Sequence, residues 1–392
     1  MTHSRFPEGG AFPTATQILL LKAALWQGEP ALQAWRQWTK RINIDTDFLD
    51  MGSYRLLPLL YHKLRSQGVD DPSMGRLKGI YRLTWYKNRL SFQVLAGVLR
   101  LLRSAGMETM VLSGAALTLL YYRDYGLRPM DSLDLLVPIR KARSAISTLE
   151  QAGWKLRGLC REKITEEFLR LRDSARFENP TGQSLDLCWR ALPDFPGPGA
   201  DDDLWAKGNS LYIEGEPSLT LSPVGHLLYI CSHGVAPDGT SPMCWAADAM
   251  TILNATQGEL DWDWLVAQAE KHHLVLPVLG VLLFLREALT APVPADVIAH
   301  LRKLPVTRMD RVEYRIRIRS AKAWGSIPYS WARNWHRLSL SGSSFVGLRS
   351  VVGFPRYLRI TQGRDRTGHV WAWAMSRTLL RAKEALRGRA SR

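Results

Sequence analysis

At 392 residues, 46% hydrophobic and 22% charged, the chain is sized for two to three domains of about 150 residues each. Its composition excludes a wholly disordered, collagen-like or low-complexity chain. The formal charge of +16 is unevenly placed: residues 301–392 hold 21 Lys+Arg against 4 Asp+Glu, and the preceding 300 hold 31 against 32. A neutral body therefore carries a strongly basic C-terminal segment.

The four cysteines, Cys160, Cys188, Cys231 and Cys244, form no C-x-x-C pair, so zinc-ribbon and thioredoxin readings lack support. They are too few for a disulfide scaffold, and a reducing, cytoplasmic setting is expected. The N-terminal MTHSRFPEGGAFP lacks the basic start and apolar core of a secretory signal. The most apolar run, Val275–Leu285, has 11 residues, against about 20 for a membrane span. It reads as a buried helix.

In chain order, residues 15–67 carry apolar side chains at three- and four-residue spacings, as helices do. Residues 77–105 continue as one long helix, with Gly106 placed for its C-cap. Thr109–Leu112 is a short β-type run ending at Ser113-Gly114, and Ala115–Tyr122 returns to helical composition. After a polar stretch, Arg123–Met130, an apolar strand is expected at Leu133–Val137 and a helix at Lys141–Ala152, closed by Gly153. Ala175–Glu178 and Ser184–Trp189 read as a hairpin around Asn179-Pro180-Thr181-Gly182. Helices are expected again over 222–234, 244–255, 262–271 and 275–289. The expected organisation is a helical part (1–106), a small α/β module (107–215), a helical part (216–300) and the basic segment (301–392).

The chemistry-bearing residues concentrate in Val111–Pro138, VLSGAALTLLYYRDYGLRPMDSLDLLVP. A strand ending in Ser113-Gly114 runs directly into a helix, whose first N–H groups favour anions such as phosphates. Glycine there lets a phosphate approach the backbone. Further on, Asp131 and Asp134 open an apolar strand, and Asp186 lies in a second one, SLDLCW. An acidic residue in an apolar strand is costly unless paired or bound to a cation. Gathered on adjacent strands, carboxylates are how magnesium is held for phosphoryl chemistry. Read singly, Asp134 and Asp186 are better accounted for as strand-end residues or as ion-pair partners, with Arg128 and Arg190 available.

Taken together these pieces resemble the bacterial uncharacterised nucleotidyltransferase family of the polymerase-beta-like superfamily. The resemblance rests on the Gly-bearing strand–helix turn, Tyr-Tyr-x-Asp-x-Gly-x-Arg-Pro at 121–129, the acidic pair before Leu135-Leu136-Val137, and Asp186 on a later strand. Leu56–Leu64, Ser222–His233 (SPVGHLLYICSH) and Trp245–Asp248 (WAAD) extend it collinearly over about 17–300. It implies an α/β (α+β) fold, a small mixed sheet of nucleotidyltransferase type embedded between N- and C-terminal helical regions. It also implies Mg2+-dependent transfer of a nucleoside monophosphate from an NTP to an acceptor: a small molecule, a glycan intermediate or a peptide. Asp131, Asp134 and Asp186 would hold the metal, Ser113 and Gly114 would cradle phosphates, and Arg128 would offset their charge.

Three positions depart from the family pattern. Where the family has Asp-x-Asp, this chain has Ser132-Leu133-Asp134, with Asp131 one residue early. Side chains at i and i+2 share a strand face and those at i and i+3 do not. Asp131 therefore serves only through a bulge or from the preceding loop. Ser113 replaces a lysine, and Cys188 a histidine. The alternative reading is accordingly a catalytically impaired member that binds a nucleotide or a partner without turnover.

Other candidates read as structural. His226 and His233 are seven residues apart on one helical face, wider than the i, i+4 spacing of a helical metal-ligand pair. Asp248 reads as a cap or a pairing partner within its helical layer, with the resemblance leaving a site role open to it, and Asp201-Asp202-Asp203 reads as a helix N-cap run. The basic segment interleaves Arg with Trp and Tyr, and Arg377–Arg389 sets Leu379, Leu380 and Leu386 against Arg and Lys. That reads first as a solvated basic end, next as suiting an anionic membrane surface or an acidic partner, and, with a neutral body and no nucleic-acid module, suits nucleic acid less well. A peripheral membrane position is part of this expectation.

Overall fold

The computed structural model describes residues 10–158, 161–192, 199–235 and 242–318. Within them the strands are β1 (Met110–Val111), β2 (Ser132–Leu136), β3 (Lys155–Leu156), β4 (Ser174–Glu178), β5 (Ser184–Cys188), β6 (Asn209–Ile213) and β7 (Glu216–Thr220). They form one mixed sheet of order β3-β4-β5-β2-β1-β7-β6. β1/β7 and β2/β5 pair parallel and the remaining neighbours antiparallel. The helices are α1 (Ala15–Leu25), α2 (Gly28–Thr39), α3 (Met51–Ser66), α4 (Met74–Ser104), α5 (Gly114–Leu117), α6 (Ala142–Gln151), α7 (Glu166–Leu171), α8 (Asp202–Ala206), α9 (Pro223–Gly234), α10 (Pro242–Ala255), α11 (Trp262–Lys271), α12 (Val275–Leu289), α13 (Ala295–Lys303) and α14 (Arg308–Arg317).

Strand alternation sorts the sheet's two faces. Leu133, Leu135, Leu185, Leu187, Ala175 and Phe177 join a core with Phe92, Leu95 and Leu99 of α4 and Leu149 of α6. The opposite set, Ser132, Asp134 and Leu136 on β2 with Ser184, Asp186 and Cys188 on β5, turns toward the helical layer. There Leu136 and Cys188 meet a second core built from α1, α2, α3, α9, α10 and α12, which buries Trp38, Trp245, Phe12 and Phe284. The period-2 pattern thus puts one row of polar residues where sheet and helices face each other.

Helix starts follow local chemistry. Thr14 and Gln17 form a capping box at α1, and Asp50 caps α3 through Ser53 N. Ser222 caps α9, with Pro223 in its first turn. Asp201 departs from the expected cap role. It makes no capping bond to α8 and instead accepts from Ala191 N at 2.9 Å, where burial pushes its carboxyl up to about 6.

The hairpin β6/β7 was not legible as strands. Its turn has positive φ at Glu214 (48°) and Gly215 (85°), the two-residue type that matches strand twist. The sheet therefore runs past 215. The expected break at 300/301 falls inside α13. Beyond it α14 is tied to the body through Arg317, whose Nη1 donates to Ser232 O at 3.3 Å and whose guanidinium is held by Glu313 of the same helix. Residues 319–392, most of the basic segment, lie outside the described residues.

His226 on α9 is 1% exposed, its Nε2 3.1 Å from Thr220 Oγ1 and its ring edge-on to Tyr121. Burial lowers its pKa from 6.5 to about 3, so the folded protein keeps it neutral while the unfolded chain protonates it below about 6.5. Stability contributed by neutral His226 is full above that pH and is lost as pH falls toward 3. Between pH 7.5 and 5 the loss is roughly 2 kcal/mol. Urea unfolding of the wild type should show this slope, and His226→Gln should flatten it.

Candidate active site

β2 and β5 pair in register with Asp134 directly opposite Asp186, and Ser132 opposite Ser184. Directly opposed residues of a parallel pair share a face, on strands about 4.8 Å apart. The two carboxylates are therefore cross-strand neighbours. No bulge interrupts β2: Ser132 and Leu133 hold consecutive partners on β5. Ser132 shares the face of Asp134 and donates to its Oδ1 at 3.2 Å. Asp131 lies before the strand, 70% exposed, paired at 2.7 Å with Arg55 Nη2 of α3. The bulge that would have brought Asp131 to the other two carboxylates does not form.

The four acidic side chains of this region have different partners. Asp131 has Arg55. Asp186 accepts from Arg176 Nε at 2.8 Å and Nη2 at 2.7 Å, since β4 places Arg176 opposite it. Asp248 of α10 accepts from Arg128 Nε and Nη2, each at 2.8 Å, and from the Tyr122 hydroxyl at 2.8 Å. Asp134 has only neutral donors, Ser132 and the Ser113 hydroxyl. Burial pushes its carboxyl up, against the Ser113 bond, and the charge of Asp186 adds to the rise. The ion-pair partners expected from sequence are corrected here: Arg128 serves Asp248. Arg190 donates to the carbonyls of Leu169, Arg170 and Arg172, with Asp173 3.6 Å away.

These groups line a cleft of about 300 Å³ between the sheet face, α3 and α10. Ser113, Gly114, Ser132, Asp134, Asp131, Arg55, Arg128, Arg176, Cys244 and Asp248 contribute to it. Arg55 Nε is buried with no hydrogen-bond partner among the described residues. Gly114 opens α5 where a Cβ would stand 3.0 Å from Arg128 Nη1 and 3.1 Å from the Met130 sulfur. Its lack of a side chain lets the guanidinium reach the turn.

The Tyr-Tyr-x-Asp-x-Gly-x-Arg-Pro stretch explains itself as the scaffold of this cleft. Asn88 of α4, 1% exposed, donates to Tyr125 O at 2.6 Å and Arg128 O at 2.8 Å. Asp124 accepts from Gly126 N at 2.7 Å and from the Tyr81 hydroxyl at 2.8 Å. Tyr81's ring lies where a Cβ on Gly126 would stand. Gly126→Ala should therefore cost about 1–3 kcal/mol by overpacking and displace Tyr81, readable as a lowered urea midpoint.

A family described as uncharacterised nucleotidyltransferase matches residues 51–290, well over half of the chain. The chain belongs to this family. The matched span runs from α3 to α12 and holds every cleft residue named above, from Arg55 to Asp248. No curated protein matches the chain. Among solved structures, an antigenic nucleotidyltransferase-like protein from Paracoccidioides brasiliensis is 16% identical, with a TM-score of 0.33, covering 53% of this chain and 96% of that one. A tRNA-processing enzyme in an apo form is 11% identical, with a TM-score of 0.23, covering 72% of this chain and 76% of that one. At these scores the likenesses add nothing to the family assignment.

For this member of the uncharacterised nucleotidyltransferase family, the side chains fit one divalent cation better than two. No three Asp, Glu, His or Cys side chains form a metal-ligand group among the described residues. Asp134 and Asp186 are adjacent on one face, and Asp134 carries no arginine. Arg176, 60% exposed, holds Asp186, 17% exposed, through two hydrogen bonds, and a cation on Asp186 would have to displace that pair. The third carboxylate is lacking because Asp131 is turned to Arg55. Sequence reasoning missed Arg55 and Arg176, and singled out Tyr122 only as part of the 121–129 motif. Arg176 was accessible in principle, since a hairpin at 175–188 puts it opposite Asp186.

Proposed function

We propose that the chain transfers a nucleoside monophosphate from an NTP to a hydroxyl or phosphate of an acceptor, in the cleft between β2, β5, α3 and α10. The observation that carries this is the in-register pair Asp134–Asp186, facing a cleft entered by the Ser113-Gly114 turn. Asp134 and Asp186 would hold Mg2+, which when bound offsets phosphate charge in such reactions. The turn at Ser113-Gly114, opening into α5, receives phosphate oxygens. Arg128 Nη1, left over from the pair with Asp248, and Arg55 Nε supply further donors along the same wall. The acceptor, a small molecule, glycan intermediate or peptide, enters past α3 and α10.

A second reading, nucleotide binding without turnover, is favoured by Ser132 in the place of a carboxylate and by Arg176 on Asp186. One experiment decides. Titration calorimetry with a non-hydrolysable NTP, with and without Mg2+, is paired with pyrophosphate release in the presence of cell extract. Transfer predicts Mg2+-dependent binding and release, both lost in Asp134→Asn by more than the roughly 10–100-fold expected of a merely supporting residue. Binding without release in every NTP establishes the second reading. No binding in wild type removes both.

A further inference from the structure

α4 carries a second surface that the cleft does not use. Its 31 residues include Arg76, Lys78, Arg82, Lys87, Arg89, Arg100 and Arg103 and no acidic residue. The inward face, with Leu77, Asn88, Phe92 and Leu95, is buried. On the outward face Leu83, Tyr86 and Leu90 are 48%, 58% and 39% exposed. Their spacing of three and four residues places them in one row. None of the three is among the buried residues of either core.

The charges around the row are not all spoken for. Arg76 pairs with Asp45, Arg89 with Glu214, and Arg100 and Arg103 with Glu216. Lys78, Arg82 and Lys87 have no ion pair among the described residues, and they flank the row on both sides. An apolar centre bordered by uncompensated cations is the pattern of a helix lying in a membrane interface. No described helix is long and apolar enough to cross a membrane.

Charge decides the occupant. A second copy would bring the same unpaired cations against these. The remainder of the chain offers no complement either: residues 319–392 hold 15 Lys+Arg against 2 Asp+Glu. We propose that the outward face of α4, through Leu83, Tyr86, Leu90, Lys78, Arg82 and Lys87, docks the protein on an anionic bilayer surface. The leucines and Tyr86 enter the headgroup boundary, and the three cations meet lipid phosphates. The cleft opens on the sheet face opposite the one that α4 packs against.

The test is co-sedimentation of the full chain with vesicles of phosphatidylcholine alone or with 30 mol% phosphatidylglycerol, at about 50 and 300 mM salt. Binding is expected only with phosphatidylglycerol, weakened by salt. The variants are K78E/R82E/K87E and L83S/Y86S/L90S, all at exposed positions, with circular dichroism and melting checked for each. Each is expected to weaken partition at least about tenfold. If both variants bind as wild type does, the basic C-terminal segment carries the attachment and the proposal is overturned. It is equally overturned if wild type ignores anionic vesicles. Light scattering that shows a dimer, dissociated by the L83S/Y86S/L90S change, would assign the face to self-association instead.

Discussion

Asp248→Ala is expected to lower unfolding free energy by about 3–5 kcal/mol, the cost of leaving a buried charge without its partner. The side chains of Arg128 and Asp248 are 15% and 5% exposed, and two hydrogen bonds join them at 2.8 Å. Burial works against the Arg128 charge, and Asp248 more than offsets it. Truncation removes that offset and also the acceptor of the Tyr122 hydroxyl. Urea unfolding of the wild type, Asp248→Ala, Arg128→Met and the double variant measures the effect. The double variant should be less destabilised than Asp248→Ala, because no orphaned guanidinium remains. A double variant destabilised by the sum of the two single effects would mean the pair is not coupled. The same cycle reports on the cleft, since Arg128 Nη1 stands beside the Ser113-Gly114 turn only while Asp248 holds the other two nitrogens.

What sequence showed and what it missed have separate physical causes. α4, α6, α9, α11, α12 and the strands β2, β4 and β5 were legible because each has a strong period and a punctuating residue, such as Gly106 or Gly153 at φ 68° and 88°. β6/β7 was hidden because NSLYIEGEPSLT buries only Leu211 and Ile213 on β6 and Glu216 and Thr220 on β7, a burial row without an apolar signature. Glu216 is buried for Arg100 and Arg103 of α4, a long-range match invisible to any local window. The adjacency of Asp134 and Asp186 followed from strand alternation, but their partners did not. Whether Arg128 or Arg176 meets a given aspartate depends on register, and the β4/β5 hairpin pairs Arg176 with Asp186. The role of Asp131 turned on a single question, bulge or no bulge, and a regular β2 answers it.

That answer sharpens what substitution at Ser132 should do. Ser132 and Asp134 share the cleft face, and Ser132 opposes Ser184 on β5, so Ser132→Asp adds a third carboxylate beside the first two. Without a divalent cation, three like charges on one face repel. Asp134 should be pushed up further than burial already pushes it, and the melting temperature should drop. Mg2+ should restore the melting temperature and raise nucleotidyl transfer more than about tenfold, because a site short of one ligand gains it. Asp131→Asn should leave transfer unchanged, since Asp131 answers to Arg55 at 2.7 Å and not to the strand pair. Arg176→Gln frees Asp186 from an exposed ion pair and should tighten Mg2+ by no more than about fivefold. A melting temperature that falls in Ser132→Asp and does not recover with Mg2+ would mean that the Asp134–Asp186 face holds no cation. The reading of the cleft as a binding site without turnover would then stand.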